Sequence, residues 1–163
     1  MSNYVTTTKT NSADTMSFDA VMGYLHSIPI SFETKKFVYR QLRQEVQENH
    51  HQTMKERLQQ ISALKQGWDG YEGMPIKEKT IQNFALLLNL CDFADVADWS
   101  LYPNTNGTLL LEQKNASISI SSTDFSYYAE LSDKYMEAER QPYSLRTFLD
   151  TLRTINSFLN NGR

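Results

Sequence analysis

The fold is decided by residues 99–131, which read WSLYPNTNGTLLLEQKNASISISSTDFSYYAEL. Apolar and polar side chains alternate through four short segments of this stretch, and Asn, Gly, Ser and Asp residues separate the segments. Alternation with period two is typical of strands that bury one face, because successive side chains of a strand point to opposite sides of the sheet. The pattern therefore predicts a four-stranded antiparallel meander with one packed face and one open face.

Helical patterns lie on both sides of the predicted meander. Ser17 is placed to cap a short helix that ends at Ile28-Pro29, because the residue before a proline avoids the helical conformation. Ser31 is placed to cap a second helix, and Ser144 a last one with a broad apolar face that suits packing across a sheet. Helices first, a sheet next and a helix packed on it predict an α+β domain.

The second helix has an apolar stripe that pauses at Asn49-His50-His51 and resumes at Met54. Either one helix over residues 32–66 or two helices hinged near Asn49 would satisfy this pattern, and we favour the hinge. Adjacent residues of a helix point about 100° apart, and no third ligand stands four residues from either histidine. We therefore expect His50 and His51 to be solvated surface side chains instead of metal ligands.

Length and composition fit one domain with a real core. The chain has 163 residues, of which 40% are hydrophobic. Residues 1–15, rich in Thr, Ser and Asn, are predicted to be a disordered tail, residues 16–66 a helical region and residues 67–163 an α+β domain.

Cys91 has no second cysteine to pair with, and residues 84–88 form the longest apolar run, far below the ~20 residues of a membrane helix. A cytoplasmic protein without a membrane span is the expectation.

Two segments carry a resemblance to known sequences. They are LKQGWDGYEGMPI at residues 64–76 and PNTNGTLLLE at residues 103–112. Over about residues 62–131 the chain resembles a group of uncharacterised bacterial and phage-associated proteins, which have a tryptophan-aspartate-glycine-tyrosine-glycine-alanine turn, a proline-isoleucine-serine helix start and a proline-x-x-asparagine-glycine hairpin. This chain has Glu72-Gly73 in place of glycine-alanine and Lys77 in place of a serine cap. The resemblance implies no activity, and the N-terminal helices are broadly similar to small bacterial antitoxin-type proteins.

The turn at Trp68 to Tyr71 has two interpretations. In the structural one, Gly70 adopts a left-handed backbone, Asp69 bonds the backbone two residues on, and the rings of Trp68 and Tyr71 fill the junction between helix and sheet. In the functional one, the aromatic and carboxylate side chains are exposed and grip a partner or a small ligand.

Charge is segregated along the chain. Residues 92–139 hold nine acidic and two basic side chains, a net −7, although the whole chain is only −3. Aromatic residues are interleaved with these carboxylates. Aromatic rings provide contact area at low entropic cost, and carboxylates around them complement a basic protein surface.

This pattern predicts a non-enzymatic protein-binding module, antitoxin-like or immunity-like, that contacts a basic protein such as a nuclease and requires no cofactor or metal. The long helix is available for a second contact or for homodimer formation. The residues predicted to bind the partner are Trp68, Asp69, Tyr71, Asp124, Tyr127, Tyr128, Glu130, Asp133, Tyr135 and Glu137.

The sequence also leaves two alternative functions open. Asp98, Glu112 and Lys114 have the order of acids and lysine found in Mg²⁺-dependent nucleases, although Glu112 also fits a polar position on the open face of the meander. A DNA-binding regulator would instead use the basic second helix, which otherwise is a solvated face with ion pairs. Its candidate phosphate contacts are Lys35, Lys36, Arg40 and Arg43.

Overall fold

A computed structural model describes residues 18–161 of the chain, with side chains from Ala20 onward. The tail predicted at residues 1–15 and the predicted cap Ser17 lie outside the described residues. The elements are α1 (Phe18–Ser27), α2 (Phe32–Ser62), α3 (Glu78–Leu90), α4 (Phe93–Val96), β1 (Ser100–Pro103), β2 (Leu109–Gln113), β3 (Ala116–Ile120), β4 (Asp124–Leu131), β5 (Lys134–Pro142) and α5 (Leu145–Asn160). The predicted α+β class is confirmed.

The described part of the chain divides into two compact units, with the boundary between Arg43 and Gln44. The first contains α1 and the beginning of α2, whose predicted cap is present because the Thr34 N–H donates to Ser31 Oγ at 3.2 Å. The second contains the rest of α2 and every strand. None of the helices between residues 18 and 161 combines the length and the apolar character that crossing a membrane requires.

The sheet has five antiparallel strands in the order β1-β2-β3-β4-β5. The four predicted strands correspond to β1 to β4, but the strand count was wrong, because the charged stretch that follows them forms a fifth strand, β5. This edge strand pairs with β4 from Leu131↔Lys134 onward, and only its inward side chains, among them Met136 and Ala138, are partly buried. An edge strand tolerates many charges, so its sequence resembles a loop.

Helix α2 is continuous through Asn49, so the expectation of two hinged helices was wrong. Its buried side chains, His51, Met54, Leu58 and Ile61, follow helical spacing, whereas Val46 is half exposed. The pause in the apolar pattern therefore lies just before the point, His51, where burial of this one helix begins. His51 is only 5% exposed, so its expected place on the solvated surface was also wrong.

The core of the second unit lies between one face of the sheet and helices α2, α3 and α5. Alternate strand residues are buried on that face, and α5 adds Phe148, Leu152 and Ile155. The predicted cap of α5 is confirmed, since Ser144 Oγ accepts from the Thr147 N–H at 3.1 Å. Cys91 packs in this core, and burial raises the pKa of its thiol to about 11.

Candidate functional site

The open face of the sheet is most distinctive on the hairpin of β4 and β5. Tyr128 stands opposite Glu137, and Glu130 stands opposite Tyr135. All four side chains are exposed, whereas Ala129, which lies between the two pairs on β4, is buried. Strand geometry sends alternate residues to opposite faces, so these four side chains point away from the core. We call them the tyrosine-glutamate face.

The two rings of this face lie close together. Tyr128 and Tyr135 are stacked with their ring centroids 6.4 Å apart and their planes inclined by 20°, and the Tyr135 side chain is 65% exposed. The Tyr128 hydroxyl donates to Glu130 Oε2 at 3.1 Å. This bond to Glu130 raises the pKa of Tyr128, so the phenol keeps its proton and remains the donor.

The same surface continues across the neighbouring strands. Ser117 of β3 pairs with Tyr128 on one side and with Glu112 of β2 on the other. Tyr102 of β1 is 42% exposed and belongs to the same side of the sheet, because its neighbour Leu101 faces the core. Tyr102 was absent from the predicted set, although its alternation with Leu101 indicated an outward position.

Three other predicted residues of the hairpin lie elsewhere. Tyr127 is on the opposite face of the sheet, where it is partly buried against the core and stacks on Phe125. Asp124 begins β4, and its Oδ2 accepts from the Thr123 hydroxyl at 2.9 Å. Asp133 is exposed in the loop between β4 and β5. Of these three, Asp133 alone is near Tyr135 in the chain and extends the acidic surface toward the end of the hairpin.

The turn from Trp68 to Gly73 is held together by its own polar groups. Asp69 Oδ1 accepts from the N–H groups of Tyr71 at 3.0 Å and Gly73 at 2.8 Å, and these bonds lower the pKa of the carboxyl. Gly70 has a φ of 85°, as the structural interpretation required. Trp68 Nε1 donates to the Met74 carbonyl at 3.0 Å. Tyr71, however, is 86% exposed, so the expectation that its ring fills a junction was wrong.

The turn and the tyrosine-glutamate face lie at different ends of the sheet. The Met74 N–H donates to the Thr105 carbonyl in the loop between β1 and β2. The pairing of Leu109 with Ile120 places that loop beside the beginning of β4, whereas Glu130 is near its end. The predicted partner-binding residues therefore form two separate groups.

The residues of the alternative functions are positioned as follows. Asp98 precedes β1, Glu112 lies on the open face, and Lys114 is exposed in the turn between β2 and β3. Among residues 18–161, no group of three or more His, Cys, Asp and Glu side chains is arranged to hold a metal ion. The predicted nuclease stays a prediction.

The candidate phosphate contacts on α2 all belong to the first unit. Lys36, Arg40 and Arg43 are exposed and stand four and three residues apart, which places them on one side of a helix. Lys35 differs from them, because its ammonium donates to the His26 carbonyl at 3.3 Å. The predicted contact with DNA stays a prediction.

Comparison with known proteins adds no relative: no family model, no curated protein and no solved structure matches the chain. The resemblance of residues 62–131 to bacterial and phage-associated proteins stays a prediction. The geometry of the open face of the sheet is therefore the basis for the function proposed below.

Proposed function

We propose that this chain is a protein-binding module that docks a basic protein on the tyrosine-glutamate face. The observation that carries the proposal is the arrangement of Tyr128, Glu130, Tyr135 and Glu137 as one exposed surface on two paired strands. Tyrosines are enriched at the centres of protein interfaces, because they combine a large apolar area with a polar tip.

The charge of this surface supports a basic partner. In the part of the chain that the structure describes, the ion pairs join Arg146 to Asp150 and Arg153 to Asp92 and Asp95, and none of them involves a residue of the tyrosine-glutamate face. Neighbouring carboxylates without a counter-charge repel each other and disfavour the folded state. A partner with a complementary basic patch would relieve this repulsion and would also be attracted over a distance.

The class of partner follows from the same chemistry. Proteins that handle nucleic acids need a basic surface that engages phosphates, and an acidic docking surface occupies such a patch directly. We propose inhibition of a basic nuclease or a similar protein, in the manner of an antitoxin or immunity protein. A stable interface buries about 800 Å² on each partner, so the rest of the open face, including Tyr102 and Glu112, would form its periphery.

The proposal is tested by capture from the organism's own cell extract with the full chain as bait. We expect the wild-type chain to retain a basic protein and to release it as NaCl rises from about 0.15 M to about 1 M, which shortens the screening length from ~8 Å to ~3 Å. The bait that reverses Glu130, Asp133 and Glu137 to lysine should retain none of it.

A matched control applies the same change in net charge elsewhere. Reversal of Glu45, Glu48 and Glu56, which are exposed on α2, should leave the capture unchanged. Equal capture by both triple variants would show that the tyrosine-glutamate face is not the docking surface. Loss of capture in both would show that only the overall charge matters, which also contradicts the proposal.

A further inference from the structure

The tyrosine-glutamate face has a geometry that suits one kind of cationic side chain. We infer that the partner places an arginine side chain at its centre, between the carboxylates of Glu130 and Glu137 and against the rings of Tyr128 and Tyr135. This inference rests on the proposed function, because it specifies the chemistry of the contact at the same surface.

The four side chains form a two-by-two pattern. Each tyrosine stands directly opposite a glutamate, so the two tyrosines occupy one diagonal and the two glutamates the other. Diagonal neighbours on an antiparallel pair have Cα atoms roughly 7–8 Å apart, within reach of long side chains. The stacked rings show that one diagonal is already in contact across the hairpin. A cation that lies on the outer surface of this ring pair therefore meets both rings, with one glutamate on each side.

The two carboxylates differ in the hydrogen bonds that they already accept. Glu130 is held by the hydroxyl of Tyr128, which fixes one of its oxygens and leaves the other as an acceptor. Within residues 20–161, no hydrogen bond or ion pair engages the carboxylate of Glu137. Glu137 thus keeps both oxygens for an incoming donor.

Arginine fits this arrangement better than lysine. Its guanidinium is planar, stacks on aromatic rings and presents a fork of N–H donors that matches a carboxylate with two parallel hydrogen bonds. Lysine has a compact and strongly hydrated ammonium, which gains less from a ring surface. Contact with the rings at an exposed site favours a cation by about 0.5–1 kcal/mol, equivalent to an affinity change of about two- to fivefold.

The test uses three blocked octapeptides in which glycine alternates with arginine, with lysine or with citrulline, the neutral analogue of arginine. The full chain carries ¹³C-labelled tyrosine, and NMR follows its ring signals during titration. We expect the arginine peptide to shift the signals of Tyr128 and Tyr135 and to bind more tightly than the lysine peptide, by no more than about fivefold. The citrulline peptide should not bind.

Variants separate the rings from the charges. Tyr135→Leu should reduce the preference for arginine over lysine, because one of the two rings is lost, while both cationic peptides still bind. Glu137→Gln should weaken the binding of both cationic peptides more than Glu112→Gln does. Glu112 lies on the same face of the sheet but three strands away from Glu137, so it serves as the matched control.

Three results would overturn the arginine inference, and one of them would also overturn the proposed function. If both cationic peptides bind equally tightly and depend on Glu137, the arginine inference is overturned while the acidic docking surface stands. If neither cationic peptide shifts the ring signals, both the inference and the proposed function are overturned. Binding that responds equally to Glu112→Gln and Glu137→Gln would also overturn the inference, because it would show attraction without a defined site.

Discussion

His51 shows how burial changes the chemistry of a single residue. Its Nε2 lies 2.6 Å from the Leu88 carbonyl oxygen, and its ring meets Phe93 edge-on with the centroids 5.0 Å apart. A carbonyl can only accept, so Nε2 carries the proton. Removal from water lowers the pKa of His51, and the positive charge of Lys55 lowers it further, although the bond to Leu88 acts in the opposite direction. The neutral imidazole is therefore the form that the fold accommodates.

The lowered pKa predicts a loss of stability in mildly acidic solution. The unfolded chain takes up a proton on His51 as the pH falls through about 6.5, while the folded chain does not until a lower pH is reached. The free energy of unfolding should consequently decrease as the pH falls through this range. Urea unfolding at several pH values between about 8 and 5 measures the effect.

The substitution His51→Gln isolates this contribution. Glutamine does not titrate and retains an N–H donor for the Leu88 carbonyl, so the variant should depend less on pH than the wild-type chain. The matched change at the partly exposed His50, whose Nε2 lies 2.8 Å from the Trp99 carbonyl, should leave most of the dependence in place. Identical pH profiles for the wild-type chain and His51→Gln would contradict the explanation.

The sequence prediction placed both adjacent histidines on the surface, although the spacing of the buried stripe distinguishes them. His51 stands three residues before Met54 and seven before Leu58, so it continues this stripe, which is a signal that the prediction missed. Several residues that were predicted correctly act through near neighbours in the chain, namely Gly70, Asp69 and the helix caps Ser31 and Ser144. Such local bonds were accessible from the sequence, whereas individual contacts between distant segments, such as the one from His51 to the Leu88 carbonyl, were not.

Among the elements, the turn at residues 67–73 depends on the close approach of Gly73 to the side chain of Asp69. A Cβ atom added to Gly73 would lie 2.7 Å from both Cγ and Oδ1 of Asp69 and 3.0 Å from Nε1 of Trp68. Alanine therefore cannot be accommodated unless the Asp69 carboxylate leaves its two backbone donors. The absence of a side chain at Gly73 is thus a condition for this form of the turn.

Gly73→Ala should lower the free energy of unfolding by about 2 kcal/mol, the usual range for overpacking that also breaks hydrogen bonds. Gly70→Ala is the matched control, because a Cβ there meets nothing within 4 Å and the change affects only the left-handed backbone, at a cost of about 1 kcal/mol. Urea unfolding of the two variants gives the comparison. A harmless Gly73→Ala would indicate that the turn rearranges to accept the alanine.

Elements differed in how well the sequence predicted them. Helix α5 and strands β1 to β4 have regular apolar patterns, because each buries one side along most of its length. Strand β5 was missed, since an edge strand needs only the backbone bonds of one neighbour and gains little from its side chains. Two residues of the proposed docking surface, Tyr135 and Glu137, belong to this strand, so their position beside Tyr128 and Glu130 followed only from the register.

At the level of the whole molecule, the hydrophobic core is confined to one of the two compact units. Within the described residues, the core cluster runs from Met54 to Ile155, and it includes side chains from α2, α3, α5 and the sheet. The unit that begins at Gln44 thus contains all the members of this cluster. Cooperative unfolding of a domain depends on such a cluster, because its apolar side chains leave the core together.

A chain shortened to residues 44–163 should therefore fold by itself and unfold in one cooperative step. We expect its free energy of unfolding in urea to lie within about 1 kcal/mol of the value for the full chain, because the deletion removes no member of the core cluster. Leu152→Ala in the full chain provides the scale: it truncates a completely buried side chain and should lower the free energy by about 2–5 kcal/mol. The denaturant slope reports the surface exposed on unfolding and should decrease only in proportion to the residues removed. If the deletion destabilises the protein as much as Leu152→Ala does, the first 43 residues contribute to the stability of the core, and the division into two independent units is wrong.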